Sequence, residues 1–587
     1  MASLLWTPPT IGADGVPDPT RAPISAFRYL DAKRMLLDEE AREKPLIRLW
    51  DKRLQYIGTV ANEESVNAEE MLHDTGTGEI VLQHDDWLVQ FLRDPNEVRK
   101  DEDLHITIDP YPHRRNWRWR WNAKITNVRV KRGEDGLTKV TFECSHNREH
   151  WKHIYLAATP FSAPEVQPLR AWVLPGNTRT IIATTGFINL ARNYWPALAL
   201  PANVMNPGAW VGEASNLLNL NPLNWPVQMQ FVNPVFDQSR TSVLMSRWSS
   251  GHDVTVGMLK DSGCNLRAYM WLPEDEDSPH PELAAIIGEK LARPGRACIV
   301  LAVEDNSDRT GWTGTAWDGF MQLAAVTGDN LVTETIYPVD EDGDGVTDPV
   351  IAKLLGAAPA KPTIAFRDTE QSAIISSEHA MFRAKAGKIY TGGKSPGWVN
   401  QTQTFMIKYA LSQLSALIAQ GPFAAQAPGT PGLEELYQSQ ADNILLAYMG
   451  ATDPVRVDRQ GPYGYLEHFE QGSGSAYTLS TPLTLREGWW KTRPYQAFKV
   501  QIRNGGNGLY LYTDFDLATR CLFEIDGILY TDQVSAVRLK YDVSTPKTFD
   551  LSIGDDAESE NPMAAVHRTA AAMWSALGML MGSGDMF

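Results

Sequence analysis

Cysteine is scarce. Cys144, Cys264, Cys298 and Cys521 stand far apart among 587 residues, with no CxxC pair. That spacing gives neither a zinc ribbon nor a disulfide framework, and it suits a reducing compartment. A basic surplus is absent too. With 54 Lys and Arg against 71 Asp and Glu, the formal charge is −17, which argues against a surface that binds nucleic acid by neutralising phosphates. The longest strongly apolar run, Thr569 to Gly582, is too short to span a bilayer. The opening MASLLWTPPT lacks a basic segment and a long apolar core, so no signal peptide is expected. Also missing are GxxxxGK[ST], GxGxxG after a strand, GxSxG and HExxH. These are common signatures of nucleotide binding, serine hydrolysis and zinc proteolysis.

What is present is an ordinary soluble composition, 43% hydrophobic and 21% charged, long enough for about three to five domains. The 19 Trp are many, and tryptophan is enriched where large surfaces meet. The stretch Trp117 to Leu156 organises the rest. Trp117, Trp119, Trp121, Ala123 and Ile125 alternate with Arg118, Arg120, Asn122 and Lys124, the period of a half-buried strand. Lys131 to Gly136 supplies a turn, and Val140, Phe142 and Cys144 alternate on the way back, so a β-hairpin is expected. The apolar phase shifts between Ile125 and Val128, which predicts a bulge or strong bend. Trp151, Ile154 and Tyr155 then recur at helical spacing and would close one end of a small barrel.

Along the chain, residues 1–23 are rich in proline and read as an extended arm, draped over a neighbouring subunit or disordered. A helix around Asp31 to Arg42 leads into strands at Leu46 to Val60, Glu79 to Gln83 and Leu104 to Ile108. From Pro160 to about Ala360 the pattern is mixed α/β. Arg179 to Thr184 and Ala297 to Val303 read as buried strands, and Val256 to Gly263 and Pro281 to Leu291 as helices. The Asn-, Pro- and Trp-rich sequence Asn189 to Pro234 excludes long regular elements. Phe405 to Ile418 and Leu433 to Tyr448 trace two apolar helix faces around GPFAAQAPGTPG, an αα-hairpin. Strands resume from Gln496 to Ile553. Leu509 to Tyr512 is expected to run back after NGGNG, and Asp526-Gly527 to close a tight hairpin. An apolar helix, Pro562 to Leu580, would dock on a partner or another subunit.

Three groups suggest chemistry. His146-Asn147-Arg148-Glu149-His150 matches the HxxEH pattern of a zinc hydrolase: on a helix, His146 and His150 would share a face, with Glu149 polarising a bound water. The bland reading is a solvated helix start. Asp340, Asp342, Asp344 and Asp348 occupy positions 1, 3, 5 and 9 of a calcium loop with Gly345 at position 6. Ile351 stands where the bidentate Glu belongs, so the alternative is an acidic, water-facing turn. The WRWRW run with Arg114 and Arg115 would stack bases or, as tryptophans at strand period usually do, fill a core or subunit interface.

Read together, GEIVLQHDDWLVQFL (Gly78 to Leu92), TGFINLARNYWPALALPANVM, NWPVQM, VLMSRW, EDNSDRTGWTGTAWDG and PGLEELYQSQADNILLAYM resemble the large minor tail proteins of siphophages that infect Actinobacteria. That family is similar to the baseplate hub, or tail-associated protein, of long-tailed phages. The resemblance covers most of residues 40–555. It implies a multidomain α+β chain with two hub β-barrels flanking a mixed α/β region and a helical hairpin. The corresponding division is 1–45 (arm and helix), 46–160 (first barrel), 161–400 (mixed α/β), 401–450 (hairpin), 451–555 (second barrel region) and 556–587 (apolar helix and tail). It further implies a homotrimeric, non-enzymatic ring at the virion tail tip. Its partners would be the distal tail protein, the tape-measure protein and other minor tail or receptor-binding proteins, with DNA only in transit and no stable membrane insertion. No cofactor is expected beyond the structural calcium that the aspartate spacing suggests. A zinc-dependent envelope hydrolase, or a receptor- or glycan-binding tip protein using exposed tryptophans, are the competing functions.

Overall fold

A computed structural model describes residues 23–83, 102–133, 138–162, 167–195, 221–332, 354–369, 372–392, 448–452, 454–470 and 495–554, and in addition Trp87, Val89, Gly136, Pro164, Gly488 and Thr492. The proline-rich arm, the Asp340–Asp348 loop, the C-terminal apolar helix and nearly all of the 401–450 hairpin lie outside the described residues. The described chain divides into a larger unit, drawn from 23–378 and 498–554, and a smaller one from 379–497.

In the larger unit, helix α1 (Pro23–Arg42) precedes strands β1 (Leu46–Trp50), β2 (Tyr56–Val60), β3 (Glu63–Met71), β4 (Thr77–Gln83), β5 (His105–Asp109), β6 (Trp121–Arg132) and β7 (Thr138–His146). The middle of the chain holds β8 (Tyr155–Leu156), β9 (Trp172–Asn177), helix α2 (Thr178–Tyr194), β10 (Val227–Met229), β11 (Thr241–Ser246), β12 (Ser249–Ser250), helix α3 (Gly251–Ser262), β13 (Cys264–Trp271), helix α4 (Pro281–Ile287) and β14 (Cys298–Asp305). After β15 (Ala365–Phe366) and β16 (Ile374–Phe382), the smaller unit contributes β17 (Lys388–Gly392), β18 (Tyr448–Thr452) and β19 (His468–Glu470). The chain ends its described course with β20 (Tyr495–Arg503), β21 (Arg520–Ile525), β22 (Ile528–Asp542) and β23 (Thr545–Ile553).

The two β blocks that the sequence suggests as separate barrels share one sheet. Its order is β16-β20-β23-β22-β3-β4-β7-β6-β5-β1-β2, with β21 pairing both β22 and β15. The join is antiparallel β22 on β3, with Ala536 opposite Met71 and Asp542 opposite Ser65. No closed barrel forms among the described residues. Alternation drives this sheet: Ile80, Leu82, Val140, Phe142 and Cys144 from the first block and Phe523, Val537 and Leu551 from the last are buried in a single core. The β6–β7 register slips between Ile125 and Asn127, the expected bulge. At the β21–β22 hairpin, Ile525 faces Ile528 across Asp526 and Gly527, whose φ angles of 52° and 80° suit a tight two-residue turn.

The middle segment is a second core. A three-stranded sheet, β10-β14-β13, runs parallel then antiparallel. It packs with α2 and α3 around Ile182, Leu190, Leu259, Leu266 and Leu301. In the smaller unit β17 pairs antiparallel with β18 and parallel with β19.

Five sequence expectations need correction. Arg179 to Thr184 is helical, inside α2. Its β-branched run mimics a strand because the helix is buried on most of its circumference. Trp117 to Arg120 is a turn preceding β6, and Arg120, expected on a wet face, is buried. Tyr155 is half-exposed on a two-residue strand, not on a helix. Leu509 to Tyr512 forms a turn with one isolated bridge, Leu511 to Phe515, in place of a regular strand. Tyr448, given to the second helix of the hairpin, begins β18 opposite Gly392. The strand β13, CNLRAYMW, escapes the pattern because all eight positions are buried and an arginine interrupts it.

Candidate functional site

Strand β13 uses β14 on one side only, so its other edge carries unpaired backbone groups, a hazard that proteins cover explicitly. Here side chains of the first β block cover it. Arg148 Nε donates to Leu266 O at 3.0 Å, Asn122 Nδ2 to Ala268 O at 3.0 Å and Arg120 Nη1 to Met270 O at 3.1 Å. Alternate carbonyls point the same way along a strand, so three donors from β6, β7 and their flanking turns suffice. The result is a polar seam between two hydrophobic cores.

Two ion-pair knots terminate the seam. In the first, Arg120 donates Nε to Asp109 at 2.8 Å and forks both Nη atoms onto Asp275 at 2.8 and 2.9 Å. Arg48 holds the other Asp109 oxygen at 2.7 Å and reaches Glu274 at 2.5 Å, while Arg115 approaches Glu274 at 3.3 Å. Three cations meet three carboxylates. Burial opposes the charge on Arg120, but Asp109 and Asp275 outweigh it and hold the proton more firmly than usual. In the second knot, Arg267 grips both oxygens of Glu70 at 2.9 and 3.2 Å and donates to Asp516 at 2.8 Å. One arginine on β13 thus ties β3 to the loop before β21. Burial pushes the Glu70 carboxyl up, yet Arg267 and neighbouring cations bring it below the usual range.

The tryptophan run serves this seam. Trp117 meets Tyr269 edge-on at 5.0 Å, and Trp119 stacks on Tyr512 at 6.0 Å. Arg118 lies over Trp117, and Arg114 over Trp119. Trp117 and Trp121 are buried, so the run is an intramolecular joint and not a base-stacking platform.

The HxxEH residues separate in the structure. His146 ends β7 and caps a 3-10 helix, Asn147–Lys152, with Nδ1 accepting from the Arg148 amide at 3.3 Å. At three residues per turn, positions four apart point about 120° away from each other. Glu149 is turned to Lys152 at 3.2 Å, and His146 is buried toward Glu70, Arg267 and Arg148, where burial lowers its pKa to about 4. Among the described residues no group of three or more His, Cys, Asp or Glu is placed to hold a metal. A mainly apolar cavity of about 540 Å³ lies between α2 and β10, lined by Ala183, Phe187, Trp225 and Met229 among others. His280 at its edge accepts from the Phe231 amide through Nδ1 and faces Gln228 through Nε2, so both ring nitrogens are engaged.

Sequence reasoning missed Arg267, Glu70, Asp275 and Asp516. The one legible signal was an arginine inside an otherwise apolar run. Outside the seam, large aromatics reach solvent: Trp312 and Trp317 in the larger unit, and Tyr463 and Tyr465, which are 97% and 79% exposed, in the smaller.

Comparison with known proteins is consistent across most of the chain. The family model described as Siphovirus ReqiPepy6 Gp37-like protein matches residues 46–555. The minor tail protein Gp28 of Mycobacterium phage L5 is 22% identical over 576 residues, which cover 91% of this chain and 94% of that protein. Minor tail protein Gp28 of Mycobacterium phage D29 is 22% identical over 577 residues with the same coverage. Among solved structures, a tail protein from Neisseria meningitidis MC58 covers 88% of this chain and 98% of its own at 8% identity and a TM-score of 0.34. A chain of the phage P2 baseplate in its activated conformation with Ca covers 88% and 100% at 8% identity, also with a TM-score of 0.34. Likeness at that level carries no argument about this chain.

Proposed function

The chain belongs to the Siphovirus ReqiPepy6 Gp37-like family, and from that premise we propose that it is the hub of a siphophage tail tip. At the coarser level it is a minor tail protein and a component of the virion tail, as its relatives are. The finer reading is a homotrimeric ring, two barrel-like β regions per subunit, set below the distal tail protein. It closes the tube before infection and opens to release the tape-measure protein and DNA. Displacement of the 401–450 hairpin or the C-terminal helix is the proposed opening step. The role is structural and not enzymatic, and Asp340, Asp342, Asp344 and Asp348 are proposed as a calcium loop.

The observation that carries this reading is the joint. The first and last described β blocks enter one sheet through β22 and β3, and the buried pairs Arg120–Asp275 and Arg267–Glu70 clamp that sheet to the middle core. A larger unit braced between its first, middle and last segments suits a ring that bears load. The net charge of −17 suits a lumen past which DNA slides. Exposed Trp312, Trp317, Tyr463 and Tyr465 suit contacts with neighbouring tail proteins.

Native mass spectrometry of the purified chain tests it. A trimer near three times 65.4 kDa is expected, with calcium lost on chelation if the aspartate loop is occupied. A stable monomer carrying one stoichiometric zinc would overturn the hub in favour of the hydrolase.

A further inference from the structure

Helix α1 is tied down by polar contacts near its C-terminal end. Tyr510 donates to Asp38 at 2.7 Å, Arg114 pairs with Glu40 at 3.3 Å, and Lys547 Nζ donates to the Glu40 carbonyl at 3.1 Å. Its large apolar residues meanwhile face solvent: Ile24, Phe27, Leu30, Met35 and Leu36 are 57–70% exposed. Ile24, Phe27 and Met35 fall on one side at about 100° per residue, with Leu30 beside them. An apolar stripe of this kind, left wet, marks an interaction surface.

We propose that the stripe is covered by the C-terminal segment Pro562 to Leu580 of the same chain. Reach permits it. The seven steps from Lys547, beside Glu40, to Gly554 cover about 24 Å of strand, and residues 555–561 extend to at most about 25 Å. The linker can therefore return Pro562 to the flank of α1. Length suffices: Ile24 to Met35 rises about 17 Å, and a 19-residue helix, about 28 Å long, is more than enough to cover it. The other terminal stretch, residues 1–22, is rich in proline and offers no comparable apolar face. Docking in this way would keep both apolar surfaces dry in the free subunit.

The test compares hydrogen exchange in the full chain and in a chain ending at Asn561. Loss of the segment should accelerate amides 24–36 about tenfold. Full-length Phe27→Asp should do the same to amides of the segment itself, which guards against a truncated chain that fails to fold. A Phe27→Cys, Met573→Cys pair, oxidised in the full chain, reports the partner, since the four native cysteines are buried. A link within one chain supports the proposal. Unchanged exchange in both variants, or links formed solely between copies, would overturn it.

Discussion

The two arginine knots solve one problem in opposite ways. Around Arg120 the central groups are shared: Asp109 answers to two arginines, and Arg120 to two aspartates. Around Arg267 everything hangs on one guanidinium. Depth runs the other way. The Arg120 side chain is fully buried, with Asp109 and Asp275 at 1% and 5% exposure, whereas Asp516 keeps 34% of its side chain in water. Redundancy protects the first knot and solvent protects the second. Which protection matters more is measurable, because removing one partner of a buried pair costs far more than the pair itself is worth.

Arg120→Met should be the most damaging change. It leaves Asp275 buried without a cation and strips Met270 O of its donor, a loss of about 3–5 kcal/mol in urea denaturation. Arg267→Met should cost about 3 kcal/mol, the low end of that range, since Asp516 can hydrate while Glu70 cannot. If Arg267→Met proves the costlier, redundancy and not depth governs the seam. Replacing Arg267, Glu70 and Asp516 together with apolar residues should recover most of the loss.

Acidity separates the knots further, because His146 faces the second and not the first. Burial, chiefly, holds its folded pKa at about 4 against 6.5; Glu70 opposes that shift, and Arg267 and Arg148 add to it. Between those values the unfolded chain binds a proton that the folded chain refuses, so stability falls as pH drops from 6.5 to about 4. Without Arg267, His146 would protonate more readily beside Glu70 and neutralise it. The Arg267→Met penalty should therefore shrink between pH 8 and pH 5, and shrink less when His146 is also replaced by Gln. Equal shrinkage with and without His146 would show that His146 is not coupled to Glu70.

Much of the sheet was legible in sequence, and little of the seam. β7 and the Asp526-Gly527 hairpin announce themselves because each side chain meets either core or water, a contrast with period two. β13 has no such contrast. Leu266 and Met270 enter one core, Tyr269 and Trp271 another, and Arg267 is neutralised by residues 197 and 249 positions away. Nothing local records such a partner. The same blindness turned Arg120 outward: its alternation with tryptophan was real, but the chain turns at Asn116, whose side chain accepts from the Arg118 amide at 2.9 Å. The join of β22 to β3 was equally hidden, since pairing across more than 450 residues is a property of topology. The HxxEH match failed for a geometric reason, the change from 3.6 to three residues per turn.

The smallest effect belongs to the rim of the first knot, and it sharpens the contrast between depth and number. Arg115 approaches Glu274 at 3.3 Å, as Arg48 does at 2.5 Å, yet both Arg115 and Glu274 are about 40% exposed. Water screens that pair, and exposed ion pairs contribute about 0–1 kcal/mol. Arg115→Ala should therefore shift the denaturation midpoint barely, and less still in high salt. Arg48→Ala, which removes a 7%-exposed partner of both Glu274 and Asp109, should fall between Arg115→Ala and Arg120→Met. A graded series in that order would mean that each ion pair is weighted by its burial. Equal losses at Arg115 and Arg48 would mean instead that the three cations act as one charge balance, in which removing any cation unsettles the whole knot.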